Sequence, residues 1–115
     1  MNDPGPVFAA LADPNRRLLL DLLAGRGSAT ATELAHELPV SRQAVSKHLT
    51  TLSGAGLVTR ARAGREARYR VQPEPLLAAA AWMAEAGARW DARLGELERF
   101  LRQGGREAAA QQPRP

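Results

Sequence analysis

Between Val40 and Gly54 the apolar residues fall at Val45, Leu49 and Leu52, the i, i+4, i+7 stripe of one helical face. Arg42, Gln43, Ser46, Lys47 and Thr50 fall on the other side, which carries two cations and no acid. Ser41 stands where its hydroxyl can accept from a free N–H of the first turn. The pattern predicts a helix over 41–53, held by one face and offering hydrogen-bonding side chains on the other. Upstream, Val7–Leu11 is an apolar run of about two helical turns. Pro14 suits the first turn of a second helix over Asn15–Gly25, with Leu18, Leu19, Leu22 and Leu23 on its buried face. Arg16 and Arg17 at its start read first as solvated cations, with a contact to a phosphate or to an acid such as Asp13 as the alternative. Thr30-Ala31-Thr32-Glu33 has the spacing of a capping box. It opens a third helix that buries Leu34 and Leu38 and stops at Pro39. Gly54 and Gly56 close the fourth.

The period then changes. Leu57–Arg62 and Glu66–Val71 alternate as strands around a turn at Ala63-Gly64-Arg65. Alternation pairs Arg60 with Arg62, and Arg68 with Arg70, while Tyr69 and Val71 point away from the latter pair and into the core. Pro75 suits the start of a last helix, Leu76–Gln103, about 40 Å long. Its stripe is Leu76, Ala80, Met83, Gly87, Trp90, Leu94, Leu97 and Leu101, widened by Leu77, Trp82 and Phe100. Residues 1–6 read as a loose arm, 7–103 as the folded domain, and 104–115, after Gly104-Gly105, as a disordered tail. The fold class that follows is mainly α with a β-hairpin wing: a winged helix-turn-helix of four helices, two strands and one helix.

Charge sharpens this picture. The net charge of the 115 residues is +4, but it is unevenly spread. Residues 1–39 hold three Arg against five acids, and residues 73–115 hold six Arg against six acids. Residues 40–72 hold six Arg and Lys47 against Glu66 alone. A basic stripe of this kind is the footprint of a polyanion partner. Five arginines on a two-stranded ribbon repel one another unless a polyanion neutralises them. The hairpin therefore reads as a wing on a phosphate backbone or in a minor groove. The helix over 41–53 suits a major groove, where base edges present donors and acceptors. Arg42, Gln43, Ser46 and Lys47 are the expected base readers. Ser41, Thr50, Arg60, Arg62, Arg65 and Arg68 are the expected phosphate contacts.

Other chemistry is thin. There is no cysteine, hence no disulfide, thiolate metal site or cysteine nucleophile. His36 and His48 are the only histidines. His36 reads as a surface imidazole, and His48 as packing or a phosphate contact. No cofactor and no catalytic constellation is expected, so an enzyme is the weakest reading. Met1–Asp13 lacks the basic and apolar regions of a signal peptide, and no window approaches a membrane span, which points to the cytoplasm. The long apolar stripe needs a partner, and a second copy is the simplest one. Val7, Phe8, Leu11, Trp82, Met83, Trp90, Leu94, Leu97 and Leu101 are its expected dimer contacts. Trp82, Met83 and Trp90 either pack that dimer or line a pocket for a hydrophobic small molecule, with packing ranked first.

Phe8-Ala-Ala-Leu-Ala-Asp-Pro-Asn-Arg-Arg, Glu33-Leu-Ala-His-Glu-Leu, Ser41-Arg-Gln-Ala-Val-Ser-Lys-His-Leu, Ala55-Gly-Leu-Val and the hairpin ending Tyr69-Arg-Val run in order. Together they resemble the ArsR (ArsR/SmtB) winged-helix repressors over roughly residues 7–101. The resemblance implies a homodimer paired through its first and last helices, two recognition helices in the major grooves of a palindromic operator, repression of its own operon, and release by an effector. Members that sense thiophilic metals carry cysteines where this chain has Thr30, Thr32 and Ala35. Members with an interface zinc site carry Asp and His on the last helix, where this chain has Asp91 but no His. The resemblance is thus to a metal-independent branch. Its principal alternatives are a non-specific architectural or RNA-binding winged helix, and a protein-interaction module that docks through Trp82 and Trp90.

Overall fold

Ser41 caps the recognition helix as its chemistry dictates: its Oγ accepts from the Ala44 N–H at 3.1 Å. In this computed structural model the backbone is described for residues 3–111 and side chains for residues 3–104. The elements are α1 (Gly5–Leu11), α2 (Pro14–Arg26), β1 (Ala29–Thr30), α3 (Ala31–Ala35), α4 (Arg42–Gly54), β2 (Val58–Ala63), β3 (Glu66–Val71) and α5 (Glu74–Gln111). Two units result, divided between Ala80 and Ala81. The first is the winged domain; the second is the remainder of α5.

The core of the winged domain joins α2, α3, α4 and the root of the wing. Leu19, Leu23, Leu34, Val45, Leu49, Leu52 and Leu57 are fully buried. Burying a side chain of this size contributes about 1.5–3 kcal/mol, so the apolar stripe of α4 fixes the helix firmly by one face. α4 ends where Gly56 takes a φ of +77°, a left-handed conformation that costs glycine little. That turn lets the Leu57 N–H bond the Leu52 carbonyl at 3.0 Å and sends Leu57 into the core.

Several boundaries differ from expectation. α1 starts at Gly5, not after residue 6, because the Asp3 carboxylate accepts from the Gly5 N–H at 3.0 Å and Pro4 opens the first turn. Residues 1 and 2 of the expected arm lie outside the described residues. α3 ends at Ala35 rather than Leu38, although Leu38 is still buried. A two-residue strand that the pattern does not announce, β1, pairs with β3 and completes a sheet of order β1-β3-β2. α5 does not end at Gly104-Gly105. Each glycine costs a helix about 1 kcal/mol relative to Ala, but the following Arg106-Glu107-Ala108-Ala109-Ala110 run is rich in helix formers, and the helix continues to Gln111. Residues 112–115 of the expected tail lie outside the described residues.

Arg16 and Arg17 are not merely solvated. Arg16 donates to the Ala10 and Ala9 carbonyls at 2.6 and 3.1 Å, and Arg17 to the Leu11 carbonyl at 2.5 Å. These carbonyls end α1, where Ala9 O also accepts the Ala12 N–H at 3.3 Å, and two cations from α2 bond them and complement the helix dipole. The same packing corrects Val7, an expected dimer contact. It is buried in its own subunit's core, with Phe8 and Leu11 half-buried beside it.

Candidate nucleic-acid interface

Arg42, Gln43, Ser46, Lys47 and Thr50 all lie exposed on α4, opposite the buried Val45, Leu49 and Leu52. Ser41 uses its oxygen lone pair on the cap, which leaves its O–H free to donate. Thr50, another expected phosphate contact, donates its hydroxyl to the Ser46 carbonyl at 3.0 Å. Thr51 does the same toward Lys47 at 3.2 Å.

His48 is half-buried and lies within electrostatic reach of Asp13, the N-cap of α2. Asp13 accepts from the Asn15 and Arg16 N–H groups at 2.7 and 3.3 Å. Desolvation pushes the Asp13 carboxyl up. The two N–H bonds, with the charges of His48 and Arg16, outweigh it and hold the group below its ordinary value.

The wing's register separates its arginines. Arg60 stands opposite Tyr69, Arg62 opposite Ala67, and Val58 opposite Val71. Directly opposed residues share a face, so Arg60 and Arg62 extend the Tyr69/Val71 face beyond the domain's edge. Arg68 and Arg70 lie on the other face. On the Tyr69 side, Arg60, Arg65, Ala67 and Tyr69 meet Arg42 and Ser46 of α4 and the N-terminal end of α3 across a cleft of about 590 Å³. Four of the expected DNA contacts, Arg42, Ser46, Arg60 and Arg65, are thus brought together. Glu33, His36 and Glu66 also line this cleft, which the sequence reading did not assign to it.

Arg68, expected on a phosphate, has its guanidinium engaged within the domain. Nε donates to Ser28 Oγ at 3.2 Å, Nη2 to the Ser28 carbonyl at 3.3 Å, and Nη1 to Glu33 Oε1 at 3.0 Å. Glu66 lies 3.5 Å from the same Nη1. Desolvation raises the Glu33 carboxyl, but Arg68's charge and the hydrogen bonds from Arg68 and Thr30 prevail and hold it below its ordinary value. By contrast, Arg42, Lys47, Arg60, Arg62, Arg65 and Arg70 form no ion pair among the described residues.

In the second unit, Trp82, Met83, Trp90, Leu94, Leu97 and Leu101 are 46–66% exposed, and Phe100 is 69% exposed. The stripe alternates steps of four and three residues, the seam spacing of paired helices. Trp82 and Trp90 share a shallow hollow of about 250 Å³ with Ala86, Arg89 and Arg93; Met83 is not part of it. Among the described residues no helix is long and apolar enough to cross a membrane.

Comparison with known proteins agrees with this geometry. A family model described as a helix-turn-helix domain matches residues 11–61. The transcriptional repressor SdpR of Bacillus subtilis is 36% identical over 77 residues, which span 67% of this chain and 84% of the repressor. An ArsR-like transcriptional regulator from Rhodococcus sp. RHA1 superposes with a TM-score of 0.75 at 43% identity, covering 84% of this chain and 91% of that one. The homodimeric winged helix-turn-helix DNA-binding domain Mb0332 of Mycobacterium bovis matches with a TM-score of 0.59 at 28% identity, covering 72% and 77%. The chain belongs to the ArsR family of helix-turn-helix transcriptional regulators.

Proposed function

We propose that the protein works in the cytoplasm as a homodimeric repressor of its own operon, bound to a palindromic operator. The observation that carries this reading is the outer face of α4: Arg42, Gln43, Ser46 and Lys47 are exposed beside a wing whose Arg60, Arg62 and Arg65 have no acid partner among the described residues. In the dimer the first four read bases in successive major grooves about 34 Å apart. Ser41 and the three wing arginines hold phosphates. The exposed seam of α5, Trp82 to Leu101, joins the two copies, a reading supported by the homodimeric state of the Mycobacterium bovis relative.

The reading also holds that DNA release needs no metal. Thr30, Thr32 and Ala35 offer no thiolate, and no three His, Asp or Glu side chains converge among the described residues. The kind of effector this reading admits is a small molecule. Footprinting on the DNA upstream of the protein's own gene tests the proposal. An inverted repeat should be protected at moderate salt, and Gln43→Ala should change which base pairs are preferred. Protection that survives scrambling of the repeat, or a Gln43→Ala protein with unaltered preference, would establish non-specific binding instead. Affinity that falls on adding a divalent or thiophilic metal ion, and recovers with a chelator, would overturn the metal-independent part.

A further inference from the structure

β3 packs Tyr69 and Val71 on the core, but its backbone pairing to β1 is only two residues long, Ala29 opposite Tyr69 and Thr30 opposite Arg68. The outer part of the hairpin, from Arg60 to Arg65, is exposed. The buried root anchors the hairpin, but beyond Arg68 neither β1 nor the core holds its outer part, so a side-chain tie at Arg68 bears on how the wing's arginines are aimed. The planar fork of Arg68 engages both Ser28 Oγ and the Ser28 carbonyl on one side and Glu33 on the other. Glu33 sits on α3, pairs with Arg26 at the end of α2 at 3.4 Å, and Arg26 in turn pairs with Glu37. The ladder Arg68–Glu33–Arg26–Glu37 therefore links the wing to the two helices that support α4. All these groups lie within the winged domain.

We propose that Arg68 and Glu33 form a latch that sets the wing's position relative to α4, so that Arg68 governs DNA affinity as a positioning residue and touches no DNA itself. The inference rests on the wing's contact with DNA. Two opposed physical effects make it testable. Glu33→Gln removes a negative charge beside a polyanion, which by electrostatics alone tightens binding. It also removes the ion pair to Arg68, which by the latch loosens the wing and weakens binding. Gln is tolerated at the third position of a capping box, so the start of α3 survives the change. Arg68→Lys keeps the charge but not the rigid two-sided fork.

The experiment measures operator affinity across salt concentrations, with hydroxyl-radical footprints, for Glu33→Gln, Arg68→Lys, Arg68→Gln and the double variant Glu33→Gln/Arg68→Gln. Circular dichroism melts confirm that each is folded. The expected result is a loss of roughly three- to tenfold in each single variant, with fading protection at the operator flanks and intact protection in the major grooves, the size usual for a residue acting through another. The double variant should lose no more than the worse single one, since both break one device. Tighter binding by Glu33→Gln, together with a lower salt slope in Arg68→Gln, would identify Arg68 as a phosphate contact and overturn the latch. Arg60→Gln separates the inference from its foundation. If it leaves the slope unchanged, the wing does not reach DNA and both readings fall. If it lowers the slope while Glu33→Gln changes nothing, only the latch falls.

Discussion

The division of the wing's arginines by face makes a quantitative prediction about salt. Among the described residues Arg60, Arg62 and Arg65 form no ion pair, and they lie on the α4 side or at the turn; Arg68 is engaged internally, and Arg70 lies on the other face. Three phosphate contacts per chain make six in a dimer. Each neutralised phosphate lowers the slope of log affinity against log salt by about 0.9, so the slope should be near –5. Raising salt from about 50 to about 200 mM, roughly 0.6 of a decade, then weakens binding by about three decades. Arg62→Gln removes one contact per chain and should make the slope shallower by about 2. Arg70→Gln removes the same charge from the opposite face and should leave the slope nearly unchanged. Fluorescence anisotropy on a labelled operator at five or six salt concentrations reads all three slopes. A slope near –7 would require a fourth wing contact and return Arg68 to the phosphate. Equal changes from Arg62→Gln and Arg70→Gln would show that strand register does not sort the contacts.

Three further outcomes follow from particular atoms. Ser41→Ala deletes the 3.1 Å cap of α4 and should cost about 1 kcal/mol of unfolding free energy in a urea titration, with weaker operator binding beside it. Leu94→Glu puts a charge on the α5 seam at a residue already 56% exposed in the single chain, so it should leave the melting temperature of the winged domain nearly unchanged while sedimentation shifts from dimer to monomer. Glu33 and Asp13 are both depressed below their ordinary values of 4.5 and 3.8, so the stability they contribute is complete above those values and is lost as pH falls through the lower folded ones. Melts taken from about pH 6 down to about pH 3 should therefore show a steeper fall for the parent protein than for Glu33→Gln, which has no carboxylate to protonate at that site.

Much of the architecture is legible because it rests on local chemistry. The caps at Ser41 and Thr30, the stripe of Val45, Leu49 and Leu52, and the hairpin turn at Gly64 each depend on residues within a few positions of one another. What escapes the sequence depends on contacts across long separations. β1 is two residues long, too short for any alternation, and exists because β3 runs beside it. Arg16 and Arg17 look like misplaced cations at the start of α2 until α1's carbonyl ends are seen against them. Val7 carries the same apolar signal whether it faces its own core or a second subunit, and only packing decides.

Charge shows most clearly how far a count can reach. The stretch 40–72 carries seven cations and one acid, a surplus of six. The structure keeps that surplus but assigns it differently. Arg68 lies 3.5 Å from Glu66, the one acid of the stretch, so these two offset each other, and six cations form no ion pair among the described residues: Arg42, Lys47, Arg60, Arg62, Arg65 and Arg70. Composition thus reaches the magnitude of the surplus but does not tell which of its bearers is engaged within the domain. Arg68's partners at Ser28 and Glu33 lie 40 and 35 positions away, beyond any motif. The long-range field that draws DNA in depends only on the surplus, which is why the basic stripe points correctly to a nucleic acid. The contacts that hold DNA in register depend on which guanidinium is free, and that is decided by the register of β3 against β1 and β2. A wing that needs five arginines to be seen in sequence therefore uses one of them to hold itself in place.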